Sequence, residues 1–321
     1  MNGHASIKDP GSTALTVQIA PTHPDGLELQ NPVMTASGTA GYGPELARVF
    51  DLGQLGALVA KTVTPRAREG NPTPRTVETP SGMLNSIGLP NPGLQDLLRG
   101  EARTWPSLGV PIIASLAADS AAEFRSLAAA FEGLPGVVAL EANFSCPNVE
   151  HGMEFATDPG LIAGAVESIL EVSSLPLLAK LSPNVTDMRP IAVAAARAGA
   201  HALTIMNTVL GMKIDIRRRR PLLGGTRGGL SGPAIRPVGV RFVHDVYPEV
   251  DIPIIGVGGI ATFEDALEYI LAGATAVQVG TATFVQPDTA PNLVERLAAY
   301  LESEAIASIT ELTGAGHIPV S

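Results

Sequence analysis

The chain has 321 residues, of which 45% are hydrophobic and only 16% charged, with a net charge of −10. That acidic balance excludes a nucleic-acid surface, which needs a basic excess, while length and apolar share suffice for one large core. A single cysteine excludes an internal disulfide and suits a reducing cytoplasm. Every apolar run is too short to cross a membrane, the best being broken by Arg197 or by Glu264, Asp265 and Glu268.

Residues 1–12, MNGHASIKDPGS, have no apolar core and read as a flexible tail rather than a signal peptide, leaving 13–321 as a single domain. The segments ALTVQIA and LELQ flank PTHPDG and predict a hairpin that closes the floor of whatever follows. Eight strand patterns then succeed one another at 31–37, 56–62, 111–117, 137–143, 176–182, 202–208, 252–259 and 275–281. They are almost continuously apolar rather than alternating, as expected of parallel strands buried on both faces. Helix signals lie between them. Ser120 with Glu123 and Thr262 with Asp265 have capping-box spacing, and Gly199 and Gly273 mark helix ends. Strand and helix alternating about eight times predict a (β/α)₈ TIM barrel rather than a doubly wound open sheet. Two long insertions, 63–93 and 210–231, follow the second and sixth strands.

In such a barrel the chemistry sits at the C-terminal ends of the strands. The residues there are Ser37, Lys61, Ser115, Asn143, Lys180, Asn207 with Thr208, Gly258 with Gly259, and Gly280 with Thr281. The glycines let backbone N–H groups at a helix start approach an anion, so the last two strand exits predict a phosphate site. A desolvated Lys61 or Lys180 suits a Schiff base; a charged one suits the pyrimidine edge of a reduced flavin. Asn85, Asn143, Asn148 and Asn207 favour the flavin, because converging amides read a heterocycle edged with carbonyl and N–H groups.

The stretch EANFSCPNVEHG holds the one cysteine, Cys146, on the loop after the fourth strand. Three roles compete: an inert buried thiol, a nucleophile paired with His151, and a general base that removes a proton from carbon while hydride leaves the neighbouring carbon. The third uses the asparagines and the phosphate site; the second leaves them without purpose. The six histidines show no ligand spacing, so no metal is expected.

The segments NFSCPN, NSIGLPNPG (85–93), KLSPNVTD (180–187), NTVLGM (207–212) and GGLSGPAI (228–235) together resemble the class 1 dihydroorotate dehydrogenases, most closely the class 1B catalytic subunit. The likeness runs from about Leu15 to Ala299, and GNPTPR (70–75) with the RRPLLGG loop favours 1B over 1A. The resemblance implies FMN held by Ser37, Lys61, Thr62, Ser115, Asn143, Lys180, Met206 and Gly232, with its phosphate on Gly258, Gly259, Gly280 and Thr281. It implies dihydroorotate on Lys61, Asn85, Ser86, Ile87, Gly88, Leu89, Asn143, Asn148, Asn207 and Thr208, with Cys146 taking the C5 proton while C6 delivers hydride to flavin N5. It further implies a homodimer extended to a heterotetramer by a subunit carrying FAD and a [2Fe–2S] cluster, with NAD⁺ as final acceptor. A dihydropyrimidine dehydrogenase-like enzyme and, in another class, a Schiff-base aldolase are the alternatives. Against the family pattern, Ser115 stands for an asparagine, Ala142 for a bulkier aliphatic residue, and Arg217 to Arg220 form an unusual basic run that reads as a solvated loop.

Overall fold

The computed structural model describes residues 14–144 and 152–317, so Cys146, Asn148 and His151 lie outside the described residues. Eight parallel strands form one sheet: β1 (Val33–Thr35), β2 (Leu58–Val59), β3 (Ile112–Leu116), β4 (Val137–Asn143), β5 (Leu177–Lys180), β6 (Ala202–Ile205), β7 (Ile254–Val257) and β8 (Ala274–Val279). The ladder runs without a break from β1 through β8, β7, β6, β5, β4 and β3 to β2. A parallel bridge between Met34 and Ala57, with Gly56 N–H donating to the Val33 carbonyl at 2.9 Å, joins β1 to β2 and closes the barrel. Closure explains the continuous apolar runs, since each strand is buried against the barrel interior and against the helices outside.

The helices are α1 (Leu94–Arg99), α2 (Ala121–Phe131), α3 (Pro159–Leu170), α4 (Arg189–Arg197), α5 (Arg236–Val246), α6 (Phe263–Leu271) and α7 (Thr289–Ser303), with short turns of helix beside them. On α2, Phe124, Leu127, Ala128 and Phe131 form the buried face that their spacing predicts. The box at α6 is complete: Asp265 N–H donates to Thr262 Oγ1, and Asp265 Oδ2 accepts from the N–H groups of Thr262 and Ala261. At α2 the return arm lands one residue earlier, Glu123 accepting from Asp119 N–H rather than from Ser120. Between β1 and β2 only two short 3₁₀ turns occur, Leu46–Arg48 and Leu52–Gln54. The segment SGTAGYGPELARVFDLGQLG is interrupted by Gly41, Gly43, Pro44 and Gly53, which leave at most the eight residues 45–52 without a helix breaker.

The predicted hairpin is present, with Val17–Gln18 antiparallel to Glu28–Leu29. Its apolar residues Val17, Ile19 and Leu29 join the core just ahead of β1. Its tip reaches across the floor. The His23 ring Nε2 lies 2.7 Å from the Ser174 carbonyl, just before β5, and packs edge-on against His201, just before β6. At the other end the two insertions meet. Thr76–Thr79, Gly82–Asn85, Gly228–Ser231 and Val209–Gly211 form a four-stranded antiparallel sheet beside the barrel mouth, extended by a small hairpin pairing Ile214–Asp215 with Arg220–Pro221. Arg217 to Arg219 lie in the exposed turn of that hairpin and Arg220 begins its second strand, and Asp215 accepts from the N–H groups of Arg217 and Arg218.

The floor carries a pH signature. His201 Nδ1 accepts from Leu177 N–H at 3.0 Å, so protonating that nitrogen breaks a bond at the start of β5. Burial, and after it the neighbouring His23, push the His201 imidazole below its usual pKa. The unfolded chain therefore takes up this proton more readily, and the contribution to stability is complete above about pH 6.5 and lost as the pH falls through the depressed value. The unfolding midpoint should drop on acidification below about pH 6.5, and His201→Asn, which keeps an acceptor but cannot titrate, should flatten that limb. Equal acid sensitivity in both proteins, measured by thermal melts across pH, would exclude His201 as the source.

Candidate active site

The strand ends and the insertion sheet enclose a cavity of about 920 Å³, at the upper end of the range for small-molecule and cofactor sites. From the barrel, Ser37, Lys61, Thr62, Asn143, Lys180 and Met206 line its wall. Beyond β6 come Asn207 and Thr208, and from the first insertion Asn85, Ile87, Gly88 and Leu89. Gly232, Gly258, Gly259, Gly280 and Thr281 complete the same wall. Residues spread over more than two hundred positions of sequence thus converge, as a barrel's strand exits require.

Two expected contacts stand behind the lining. Ser115 is 1% exposed and shares a hydrogen bond of 2.9 Å with Thr62 Oγ1, which does reach the cavity. Ser86 is equally buried and accepts from Asn71 Nδ2 at 2.9 Å, fixing the loop that carries Ile87 to Leu89. That loop is pinned at its far end by Asn91, whose amide donates to Thr64 Oγ1 and the Leu89 carbonyl and accepts from the N–H groups of Thr64 and Gly93. Asn91 was legible only as part of NSIGLPNPG; its anchoring role needs the partner Thr64, 27 positions earlier.

The exit of β7 is shaped by close backbone approach. Gly259 has φ +72°, and a Cβ there would lie 2.8 Å from the Gly232 carbonyl oxygen and 2.9 Å from Arg236 N. Any larger residue would drive the 258–260 turn away from the start of α5. Tyr269, on α6, donates its hydroxyl to the Gly258 carbonyl at 2.8 Å, and burial raises its pKa, so it stays a donor. The main chain of this turn is held from behind while it faces the cavity.

The heaviest polar investment is inside the barrel. Lys180 Nζ donates to Glu141 Oε1, Gln278 Oε1 and Ser37 Oγ, each at 3.3 Å. Glu141 Oε2 accepts from Gln278 Nε2 at 2.7 Å and Thr204 Oγ1 at 3.1 Å. The two charged side chains are 5% and 0% exposed. Glu141, Thr204 and Gln278 were missed by the sequence reading, although the signal was there: Glu141 is the one charge in VVALEAN, and Gln278 the one amide in TAVQV. Nearer the mouth, Asn207 Nδ2 donates to Asn143 Oδ1 at 3.2 Å, Thr208 N–H donates to Asn207 Oδ1 at 2.7 Å, and Asn85 Nδ2 donates to the Gly229 carbonyl at 3.2 Å. The amides are thereby oriented by the protein itself. Thr79, on the insertion sheet, lines the cavity with a buried hydroxyl that has no partner among the described residues.

This chemistry fits a flavin nucleotide: a glycine cradle for a phosphate, a lysine and hydroxyls for an electron-rich edge, and oriented amides for carbonyl and N–H groups. Among the described residues no cluster of three or more His, Cys, Asp or Glu could hold a metal ion, and no helix is long and apolar enough to cross a membrane.

Comparison with known proteins gives the same direction. The family model described as dihydroorotate dehydrogenase matches residues 20–301. The catalytic subunit of dihydroorotate dehydrogenase B (NAD(+)) from Desulforudis audaxviator is 53% identical over 293 residues, 91% of this chain and 95% of the relative. The subunit of the same name from Desulforamulus reducens is 50% identical over 91% of this chain and 96% of its own length. That from Geotalea uraniireducens is 47% identical over 95% and 99%.

Removing one partner of a buried ion pair leaves an uncompensated charge, whereas removing both does not. Lys180→Met should lower folding stability by about 3–5 kcal/mol, and adding Glu141→Gln should restore most of the loss. Chemical denaturation of the two single variants and the double variant checks this; additive losses would mean that the pair is not coupled.

Proposed function

The chain belongs to the dihydroorotate dehydrogenase family, and on that premise we propose that it oxidises (S)-dihydroorotate to orotate with FMN, as the catalytic subunit of a class 1B-type enzyme of pyrimidine biosynthesis. The observation that carries the reading is the convergence of Lys61, Lys180, Asn85, Asn143 and Asn207 with the glycine-lined exits of β7 and β8 in one cavity.

FMN, when bound, supplies the acceptor for the hydride that leaves C6 of the substrate. The work of the chain's own residues is to bind, orient and move a proton. Gly258, Gly259, Gly280 and Thr281 hold the phosphate, with Gly232 beside them. Ser37, Lys61, Thr62, Asn143, Lys180 and Met206 hold the ring system, and Ser115 fixes Thr62 from behind. Lys61, Asn85, Ile87 to Leu89, Asn143, Asn148, Asn207 and Thr208 position dihydroorotate, and Ser86 fixes their loop from behind. The loop at Ile87 to Leu89 offers main-chain groups to a carboxylate, which favours dihydroorotate over a uracil-type substrate. Cys146 follows Phe144 by two positions in the sequence and acts as the base for the C5 proton. A Schiff-base aldolase is disfavoured at Lys180, because an amine held between a carboxylate and two further oxygens is not free to attack a carbonyl.

Electrons leave through a partner subunit with FAD and a [2Fe–2S] cluster to NAD⁺, in a cytoplasmic heterotetramer built on a catalytic homodimer. The relatives' shared description as a catalytic subunit supports a partner of this kind.

The purified protein should be yellow and bleach anaerobically on addition of dihydroorotate. Cys146→Ala should keep its FMN yet be reduced by about 10²–10⁴-fold more slowly, the range for loss of a general base. Stopped-flow absorbance of both proteins tests this. Unimpaired flavin reduction in the variant would remove Cys146 from the mechanism, and a colourless protein that rejects FMN would remove the whole reading.

A further inference from the structure

We propose that Glu141 is a positioning residue for the redox chemistry: by its charge it keeps Lys180 protonated inside the barrel, so that bound flavin is reduced without a second proton entering the site. The inference rests on the FMN reading above and assigns a role to a residue that touches neither cofactor nor substrate. Among the described residues the buried acids are Glu141 and Asp265, and the one buried lysine or arginine is Lys180. Asp265 is committed to Arg236 and to the cap of α6. Glu141 therefore has no structural partner comparable to Lys180, with which it forms a pair at 3.3 Å.

Lys180 donates to Glu141 on β4, Gln278 on β8 and Ser37 after β1, and Thr204 on β6, its register partner, donates to Glu141. Of these only Glu141 carries an acidic side chain. Lys61 and Glu78 are the other titratable groups among the described residues that line the cavity, on β2's exit and on the insertion sheet. Burial disfavours the charged form of an amine in general, and a carboxylate beside it favours that form. Gln278 makes the arrangement directional. It accepts from Lys180 and donates to Glu141, so its amide cannot turn over without breaking both bonds. Lys180 also lines the cavity wall, so the carboxylate behind it and the ring system in front share one ammonium.

With Lys180 already charged, two electrons from a chemical reductant and one proton at N5 give a reduced ring bearing a negative charge, neutralised by the ammonium. With Lys180 neutral, the same two electrons draw in a second proton, taken up by the amine. The two cases differ in the slope of the midpoint potential against pH, which is twofold steeper for two protons than for one.

The test is a dye-coupled redox titration of the FMN-loaded protein with dithionite, without dihydroorotate, between about pH 8 and 9.5, below the ordinary lysine pKa of about 10.4. The unmodified protein should show the one-proton slope and Glu141→Gln, an isostere without the charge, the twofold steeper one. Gln278→Leu, which removes the amide but leaves the carboxylate, should keep the one-proton slope. A two-proton slope in the unmodified protein, an unchanged slope in Glu141→Gln, or a doubled slope in Gln278→Leu would each overturn the proposal. The first of these needs no variant, so poor folding of Glu141→Gln leaves it decidable. Failure to load FMN would instead refute the functional reading on which it rests.

Discussion

A charge inside a closed sheet must bring its partner with it. The barrel buries both faces of its strands, so a polar side chain in the middle layers has mainly other strands to bond to. Glu141, Lys180, Thr204 and Gln278 satisfy one another there across four strands. The strands' register is tied to the same set. Asn143 pairs with Lys180, and Lys180 with Thr204, so a slip by one residue would turn the charged side chains towards the helices. Polar satisfaction in the interior and position of the lysine at the mouth are therefore one constraint.

That constraint sets what each part of the molecule contributes. The barrel provides firmly held side chains at its rim, because each sits on a strand or within three residues of its end, and each strand is paired on both sides. The β7 exit is rigid for a different reason, close contact of Gly259 with the start of α5 and of Tyr269 with the Gly258 carbonyl. The insertion sheet is held by main-chain pairing between segments far apart in sequence, such as Gly229 with Asn85. It carries Asn85 and the Ile87 to Leu89 loop, which Asn91 and Ser86 tether to neighbouring segments. A site so divided keeps its fixed charges on the barrel and its substrate-shaped surface on the insertions.

The same division explains which parts were legible in the sequence. Parallel strands buried on both faces write continuous apolar runs, so all eight were readable, and caps such as Thr262 with Asp265 are local enough to be seen as spacing. The rim residues followed, because a strand's last residue is found once the strand is found. The insertion sheet was not readable as a sheet, since its central pairing joins residues about 144 positions apart and its strands are short and rich in glycine. Ser115 was expected at the cofactor from its place at a strand end, yet its hydroxyl is taken by Thr62; alternation along a strand does not tell which neighbour claims a short side chain. The missing first helix was marked by the glycines after Ser37 and was passed over because the repeat suggested one.

Glu141 shows how a departure from pattern carries information. In a run such as VVALEAN an acid costs more than any packing gain can offset unless a cation is supplied from another strand. Lys180 at the end of β5 is the one buried cation among the described residues, and strand order puts β4 beside β5. Each residue thus predicts the other once the barrel is assumed: an apolar strand with one acid and its neighbour with one terminal lysine form a pair whose separate members would both be unstable. The pair is weak support for stability in itself, since apolar residues of similar volume would fill the space as well. What apolar residues could not do is place a positive charge against the cavity wall. The carboxylate is best understood as a condition for that charge, and the position of the charge as the reason a buried acid is present at all.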